Sequence, residues 1–514
     1  MQRLILPSLS LATLCFSGVS LAQAPLTLDV VGGSMPGTLS MSVRGGAYPF
    51  EPTLIVFNAN PGPTPIAAFD PADPRVVDVG LLGASSVFGF MDFNGEFVGP
   101  TSNVPSLPAL VDQGFYFQAV TIGGQTTIVD RLSNPCAIYL ANSGAFRDRG
   151  VVLTGDRIFG TVILREDNRW MVCGGAQGAL LAQIARDTTE IYDDVSDLFV
   201  PGPTMTAPRS LHTMTRLNDG RYLFVGGVNQ NNDPQGTCEI YDPQTDSFSP
   251  VASMSSPRMG HTATLLDNNN VLVTGGFDAL TVTPTQLSAI FDIVETTEIY
   301  NPTTNTWSAG PNLTTPRAGH VAIKRPNGQV LLAGGISWES VFIIGNLPFA
   351  RETSDIYNPT SGSMSSGPSM STPHALLDPV DLGGGRWLVA GGINSMSLLS
   401  PGTSTTVAEI YDANTNSWSS AGNMATDRSN HKTFALGGGQ FLTVGGGNGT
   451  ITSVNPLSSG EIYNANTNSW SAGPSLTVPR AGCSMFVTPR GQVHFMGGST
   501  TNGNTLISTE FYYR

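Results

Sequence analysis

The sequence predicts an all-β protein, a seven-bladed β-propeller preceded by a small β-sandwich, and three observations carry that expectation. The first is a ruler kept for seven laps: Arg stands 17 residues before a Gly-Gly pair at Arg157/Gly174, Arg209/Gly226, Arg258/Gly275, Arg317/Gly334, Arg428/Gly445 and Arg480/Gly497, with His374 in the Arg slot before Gly391. The second is an acid-apolar-Tyr triplet downstream of each pair, beginning at Glu190, Glu239, Glu298, Asp355, Glu409, Glu461 and Glu510. The third is composition: 12 % charged residues with 59 glycines and 36 prolines suit many short strands joined by turns. A repeat this regular is a packing unit stacked on copies of itself.

Residues 1–24 read as a secretory signal peptide: Arg3 opens it, Leu4 to Leu21 is largely apolar, and Ala22-Gln23-Ala24 is a small-x-small cleavage site. Cys15 raises a lipoprotein alternative, against which Leu14 is large for the residue before a lipidated cysteine. The expected location is secreted, periplasmic or cell-surface. Residues 25–140 lack the repeat and are expected to form the sandwich. There Asn94-Gly95 turns between two apolar-polar alternating runs, and Pro-rich turns lie at Asn60-Pro61-Gly62-Pro63 and Asp70 to Pro74.

Residues 141–514 are expected to form the propeller. In the lap from Arg209, His212 to Leu217 alternates, Asn218-Asp219-Gly220 turns, and Tyr222 to Val225 is a β-branched and aromatic run. Gly226-Gly227 stops that strand. A loop leads to a third strand at Glu239-Ile240-Tyr241, and Asp242 to Asp246 turns into a fourth at Ser247-Phe248-Ser249. Four short strands expose two apolar faces, which stacking around an axis buries. The seventh lap ends at Arg514 without its fourth strand, and Leu153 matches the Met or Leu that stands four residues before the other Arg slots. A strand near 146–153 is therefore expected to close the ring.

These residues resemble the bacterial kelch repeat as found in the propeller of galactose oxidase-like proteins: Arg-x-x-His, Asn/Asp-Gly, Val-Leu-Val-x-Gly-Gly, Glu-Ile-Tyr-Asp/Asn and Trp-Ser. The resemblance covers about residues 146 to 514, is specific for a kelch-type fold and says little of function. It implies one enzymatic alternative, a galactose oxidase-like or other carbohydrate-active enzyme. Galactose oxidase-like chemistry uses copper held by two histidines and two tyrosines, one tyrosine crosslinked to cysteine, and one ligand comes from a domain after the propeller. This chain has no Tyr-His pair and ends with its seventh lap.

The remaining chemistry is read position by position. His212, His261, His320 and His431 share one slot, with Cys483 in the same slot. One such residue per blade is too widely spaced for a single ion, so a structural hydrogen-bonding role is expected and no metal or cofactor. Arg209, Arg258, Arg317, Arg428 and Arg480 are expected to pair with the acids of their laps, Glu239, Glu298, Asp355, Glu461 and Glu510; Glu409 is the acid of the lap whose Arg slot holds His374. A ring of arginines binding an acidic ligand is the alternative. Cys136, Cys173, Cys238 and Cys483 allow three disulfide connectivities that spacing does not decide.

Only the stretch between Gly-Gly and the acid varies in length, holding 14, 11, 21, 19, 16, 14 and 11 residues. The two longest belong to successive laps and are unusually apolar. Their Phe277, Phe291, Trp338, Phe342 and Arg351 are the candidate binding residues, either as platforms for a ligand or as packing against neighbouring protein. A net charge of −14 without basic clusters disfavours nucleic acid and anionic lipid. The expected role is non-catalytic recognition of an extracellular glycan or protein, with no nucleic acid and no membrane insertion.

Overall fold

A computed structural model describes residues 26–513 apart from 32–33, 36, 45–51, 60, 66–75, 80–84, 93–95, 100, 105–113, 123–128, 134–135, 140, 143, 149, 168, 180–181, 194–195, 282–289, 342–344, 398–399, 451–452, 489–491 and 501–503. The expected signal peptide lies outside the described residues. All regular elements among the described residues are β-strands, and the chain divides into two compact units. One comprises residues 1–29, 41–100 and 116–135, the other 30–40, 101–115 and 136–514.

In the first unit, Pro52–Asn58 pairs with Ser85–Phe90 and with Gly114–Ile122, which pairs in turn with Val129–Leu132. A second ladder joins Ser42 to Arg44 with Glu96–Val98. The two ladders face each other as a sandwich does. A Cβ on Gly89 would fall 2.1 Å from the Phe97 ring, and Met41, Val43, Ile55, Phe117 and Ala119 are buried.

The second unit is a propeller. Among the described residues seven four-stranded antiparallel sheets recur with strands in sequential order, starting at Thr161–Leu164, Thr213–Arg216, Thr262–Leu265, Val321–Lys324, Val380–Gly383, Lys432–Gly437 and Ser484–Val487. In this order they are sheets one to seven. The seventh takes its outer strand from Ala145–Arg147, which pairs with Thr509–Tyr513. Phe146 is buried there against Phe495 and Tyr512. Beyond it, Val152 bridges Ser508 and Leu153 N–H donates to Ile507 O at 2.8 Å. Ala145–Arg147 thus completes the seventh sheet, and the strand expected near 146–153 is three residues long with a separate bridge at Val152.

Large side chains at fixed lap positions fill the spaces between sheets. The triplet Tyr lies opposite the aromatic of the fourth strand, Tyr241 on Phe248, Tyr300 on Trp307, Tyr411 on Trp418 and Tyr463 on Trp470, at ring separations of 5.0 to 5.2 Å. Such pairs contribute about 0.5–1.5 kcal/mol beyond their buried area. Met205, Met254, Leu313, Met370, Met424 and Leu476, one per interface, are all buried.

The Gly-Gly pair links each sheet to the next. At Gly275, φ is +60°, and a Cβ would lie 2.1 Å from Arg317 O and 3.1 Å from the ring of His320 in the following sheet. Gly276 N–H donates to that same Arg317 O at 2.9 Å. Any side chain at Gly275 would break this junction. The bond recurs as Gly175 to Arg209, Gly227 to Arg258, Gly335 to His374, Gly392 to Arg428 and Gly446 to Arg480, and Gly498 returns to Arg157. The seven links form a closed cycle.

Candidate ligand-binding site

The arginine of each lap is fully buried and clasps three points of its own sheet. Arg317 donates from Nη1 to Gly334 O (2.7 Å) and Thr353 O (2.9 Å), and from Nη2 to Asp355 (3.0 Å). Arg258 and Glu298 pair at 2.9 Å, Arg428 and Glu461 at 3.0 Å, Arg480 and Glu510 at 2.9 Å, and Arg209 with Glu239 at 2.6 Å. Arg157 pairs with Glu190. The acids also hold the approach to their own Arg, Glu461 accepting from Ala425 and Thr426 N–H, and Glu510 from Thr477 and Val478 N–H. Arginines locked in this way face their own sheets. In the fifth sheet His374 spans Gly391 O and Glu409 (2.6 and 3.2 Å). Burial alone would push the Glu409 carboxyl up, but His374 and Ser371 N–H hold it below its usual range.

Two residues past each Arg slot the chain adopts left-handed backbone at Phe159, Leu211, Gly260, Gly319, Leu376, Asn430 and Gly482 (φ +51° to +64°). Leucine and phenylalanine rarely accept this conformation, so the surrounding structure imposes it. The imposing partners are each other. Gly260 N–H donates to Leu211 O, Gly319 to Gly260, Leu376 to Gly319, Asn430 to Leu376, Gly482 to Asn430 and Phe159 to Gly482, at 2.7 to 3.3 Å. The result is a collar of backbone around the propeller axis.

The collar lines one end of a cavity of about 430 Å³. Its walls are the starts of the innermost strands. His212 Nε2 meets Thr161 Oγ1, His261 meets Thr213 and His320 meets Thr262, each at 2.9 Å. Every bond crosses from one sheet to the preceding one. Burial, reinforced by Arg258 and Arg428 respectively, pushes His261 and His431 down to about 3, and burial with the adjacent arginine holds His212 and His320 well below their ordinary value. These imidazoles are neutral structural groups. Thr213→Val removes the partner of His261 Nε2 and is expected to cost about 1 kcal/mol, measured by urea unfolding.

The repeat breaks on the other side of the cavity. The slot that holds Thr161, Thr213 and Thr262 holds Asp378 in the fifth sheet and Lys432 in the sixth. Lys432 Nζ donates to Asp378 Oδ2 at 2.9 Å. The attraction of Lys432 holds the Asp378 carboxyl below the usual range, and Asp378 holds Lys432 above its own. Enclosed by the strands, the pair is still wetted from the cavity: the Asp378 side chain is 74 % exposed and that of Lys432 28 %. Sequence reasoning missed both residues. The signal available was the charge itself, in a slot that elsewhere holds Thr161, Thr213, Thr262, Val321 and Ser484.

The long loops after Gly-Gly are hairpins. They comprise Phe277–Thr281 with Ile290–Ile293, Ile336–Val341 with Gly345–Ala350, Ile393–Ser397 with Ser400–Ser404, and Gly447–Thr450 with Ser453–Pro456. The last two join into one four-stranded sheet. Phe277 is 6 % exposed and packs with Ile293, Ile336 and half-buried Trp338 in one apolar layer that also holds Leu211 and Leu376 of the collar. Trp338 Nε1 donates to Ile293 O at 3.3 Å. Arg351 donates to Trp338 O at 3.3 Å, with its guanidinium 5.8 Å from the Phe349 ring centre. The two longest loops therefore meet, and Phe277 supports them from within. Phe291 pairs with Leu280 in the hairpin ladder, and Phe342 lies outside the described residues. Cys173, Cys238 and Cys483 are buried free thiols.

The kelch motif matches residues 225–255 and 428–477. No curated protein matches the chain significantly. Among solved structures, a fungal alcohol oxidase of the AA5 family in complex with copper is similar, with a TM-score of 0.54 and 17 % identity over 72 % of this chain and 76 % of that one. YjhT is also similar, with a TM-score of 0.44 and 15 % identity over 59 % of this chain and 95 % of that one. The first likeness shows a shared fold. Among the described residues no three His, Cys, Asp or Glu are grouped to hold a metal ion, and three of the channel histidines each bond a threonine of a different strand.

Proposed function

We propose that this kelch-repeat propeller is an exported, non-catalytic recognition protein that holds an extracellular glycan or protein on its hairpin-bearing face. One observation carries the reading: every long insertion leaves after Gly-Gly, and two neighbouring insertions are stitched into a single sheet through Thr403 and Thr450. The turns at the other ends of these strands are short, such as Asn218 to Gly220. Loops raised on one face of a rigid ring, over an apolar layer that includes half-exposed Trp338, suit a partner larger than the loops themselves.

The test is a hairpin replacement. Exchanging residues 395–402 for an Asn-Gly turn is expected to abolish binding on a printed glycan array, or to an extracellular partner identified by crosslinking. The melting temperature should stay within about 2 °C of the parent, because the exchange shortens a hairpin after Gly-Gly and leaves the seven four-stranded sheets intact. Binding that survives the exchange would remove the hairpins from the site. Stoichiometric copper in the purified protein, with alcohol oxidation, would replace recognition by catalysis.

A further inference from the structure

The hairpin face does not use the charged pair inside the ring, and that pair is the departure from the repeat that most changes the cavity. Three laps place a threonine hydroxyl in the slot and join it to the next lap's histidine. Sheets five and six put a carboxylate and an ammonium there instead, 2.9 Å apart. Their mutual bond uses one Asp378 oxygen and one of the three Lys432 donors, and both groups keep capacity for more. The charges around the cavity cancel: one carboxylate, one ammonium, and neutral imidazoles at His212, His261, His320 and His431.

We propose that the central cavity binds a small neutral polyol of monosaccharide size, gripped by the Asp378–Lys432 pair through two adjacent hydroxyls. Adjacent hydroxyls match a contact ion pair: each donates to the carboxylate or accepts from the ammonium, so the ligand is held by charge-assisted bonds without bringing charge of its own. A charged ligand would leave this balanced cavity with a net charge to solvate. The opposite wall suits the C–H face of a sugar ring. Phe159 stands half-buried in the collar, its ring beside Gly482, with Leu211 and Met214 lining the same cavity. The volume of about 430 Å³ falls within the range of ligand pockets, roughly 300–1,000 Å³. The pair is suited to binding and not to proton transfer, because each partner stabilises the other in its charged form.

The site is independent of the hairpin-face reading and is tested separately. Saturation-transfer NMR on the full chain would use galactose, mannose and myo-inositol as vicinal-diol probes, with glucuronate as a charged control, each at about 10 mM to detect millimolar affinities. At least one neutral diol should bind, and glucuronate should not. Asp378→Asn and Lys432→Met should each weaken that binding by about tenfold or more, the loss of one charge-assisted bond. The variant lacking residues 395–402 should bind the same diol as the parent, which separates this cavity from the outer face. Absence of binding by all three diols to the parent overturns the proposal whatever the variants do. Glucuronate binding in preference, or diol binding unchanged in both Asp378→Asn and Lys432→Met, overturns it equally.

Discussion

Arg317→Ala is expected to lower unfolding free energy by about 3–5 kcal/mol, because it strands a carboxylate in the interior. Arg317 and Asp355 are both fully buried, and without the guanidinium Asp355 keeps only the Thr314 hydroxyl among its side-chain partners. Gly334 O and Thr353 O lose their donor in the same stroke. Burial lowers the Arg317 pKa while Asp355 raises it, leaving it below the ordinary value, so desolvation opposes the pair and its benefit is largely positional. Arg317→Met with Asp355→Leu should therefore recover much of the loss, since an apolar pair carries no desolvation penalty. Arg317→His should fall between, because His374 spans the equivalent carbonyl and acid in the fifth sheet. Urea unfolding of the parent, Arg317→Met, Asp355→Leu and the double variant gives the cycle, with Arg317→Ala and Arg317→His measured beside it. A loss below about 1 kcal/mol for Arg317→Ala would assign the pair to the exposed class.

This clasp was legible from spacing alone. An Arg and an acid recurring at fixed positions in nearly every lap have few geometric explanations other than a shared local contact. The short Tyr-to-Trp spacing likewise becomes a cross-strand pair across a tight turn, as Tyr300 and Trp307 show. Less was legible where the sequence departs from its own repeat. Asp378 and Lys432 are ordinary residues until the ring closes and brings adjacent laps side by side around the axis. The collar was also hidden, since left-handed backbone at Leu211 and Leu376 contradicts their local preference and is imposed by neighbouring sheets. The aromatic content of the long loops marked a place of consequence, but hydropathy could not separate a platform from a support. Phe277 proves to be a support and Trp338 keeps one side open.

The neutral histidines make the propeller acid-sensitive, and this is the largest effect expected under solution conditions. His261 and His431 titrate at about 3 in the folded state, against 6.5 for an unhindered imidazole. Between those values the unfolded chain binds a proton that the folded chain refuses, so stability is full above about pH 6.5 and falls as pH falls towards 3. Each such histidine contributes a slope of roughly 1.4 kcal/mol per pH unit. His212 and His320, shifted in the same direction, bring the combined slope to about 5 kcal/mol per unit. Asp378 and Glu409, held below their usual range, add destabilisation of the same sign at lower pH. A domain stable by about 5–15 kcal/mol would then unfold between about pH 5.5 and pH 3.5. Urea midpoints measured from pH 8 to 4.5 should decline steeply below pH 6.5, and His261→Gln should flatten the slope by about one proton. The imidazole carbon signals of His261 and His431 should not shift with pH until unfolding begins. A stability profile level down to pH 4.5, or a slope unchanged by His261→Gln, would mean that these side chains are charged in the fold and that Thr213 does not bond a neutral imidazole.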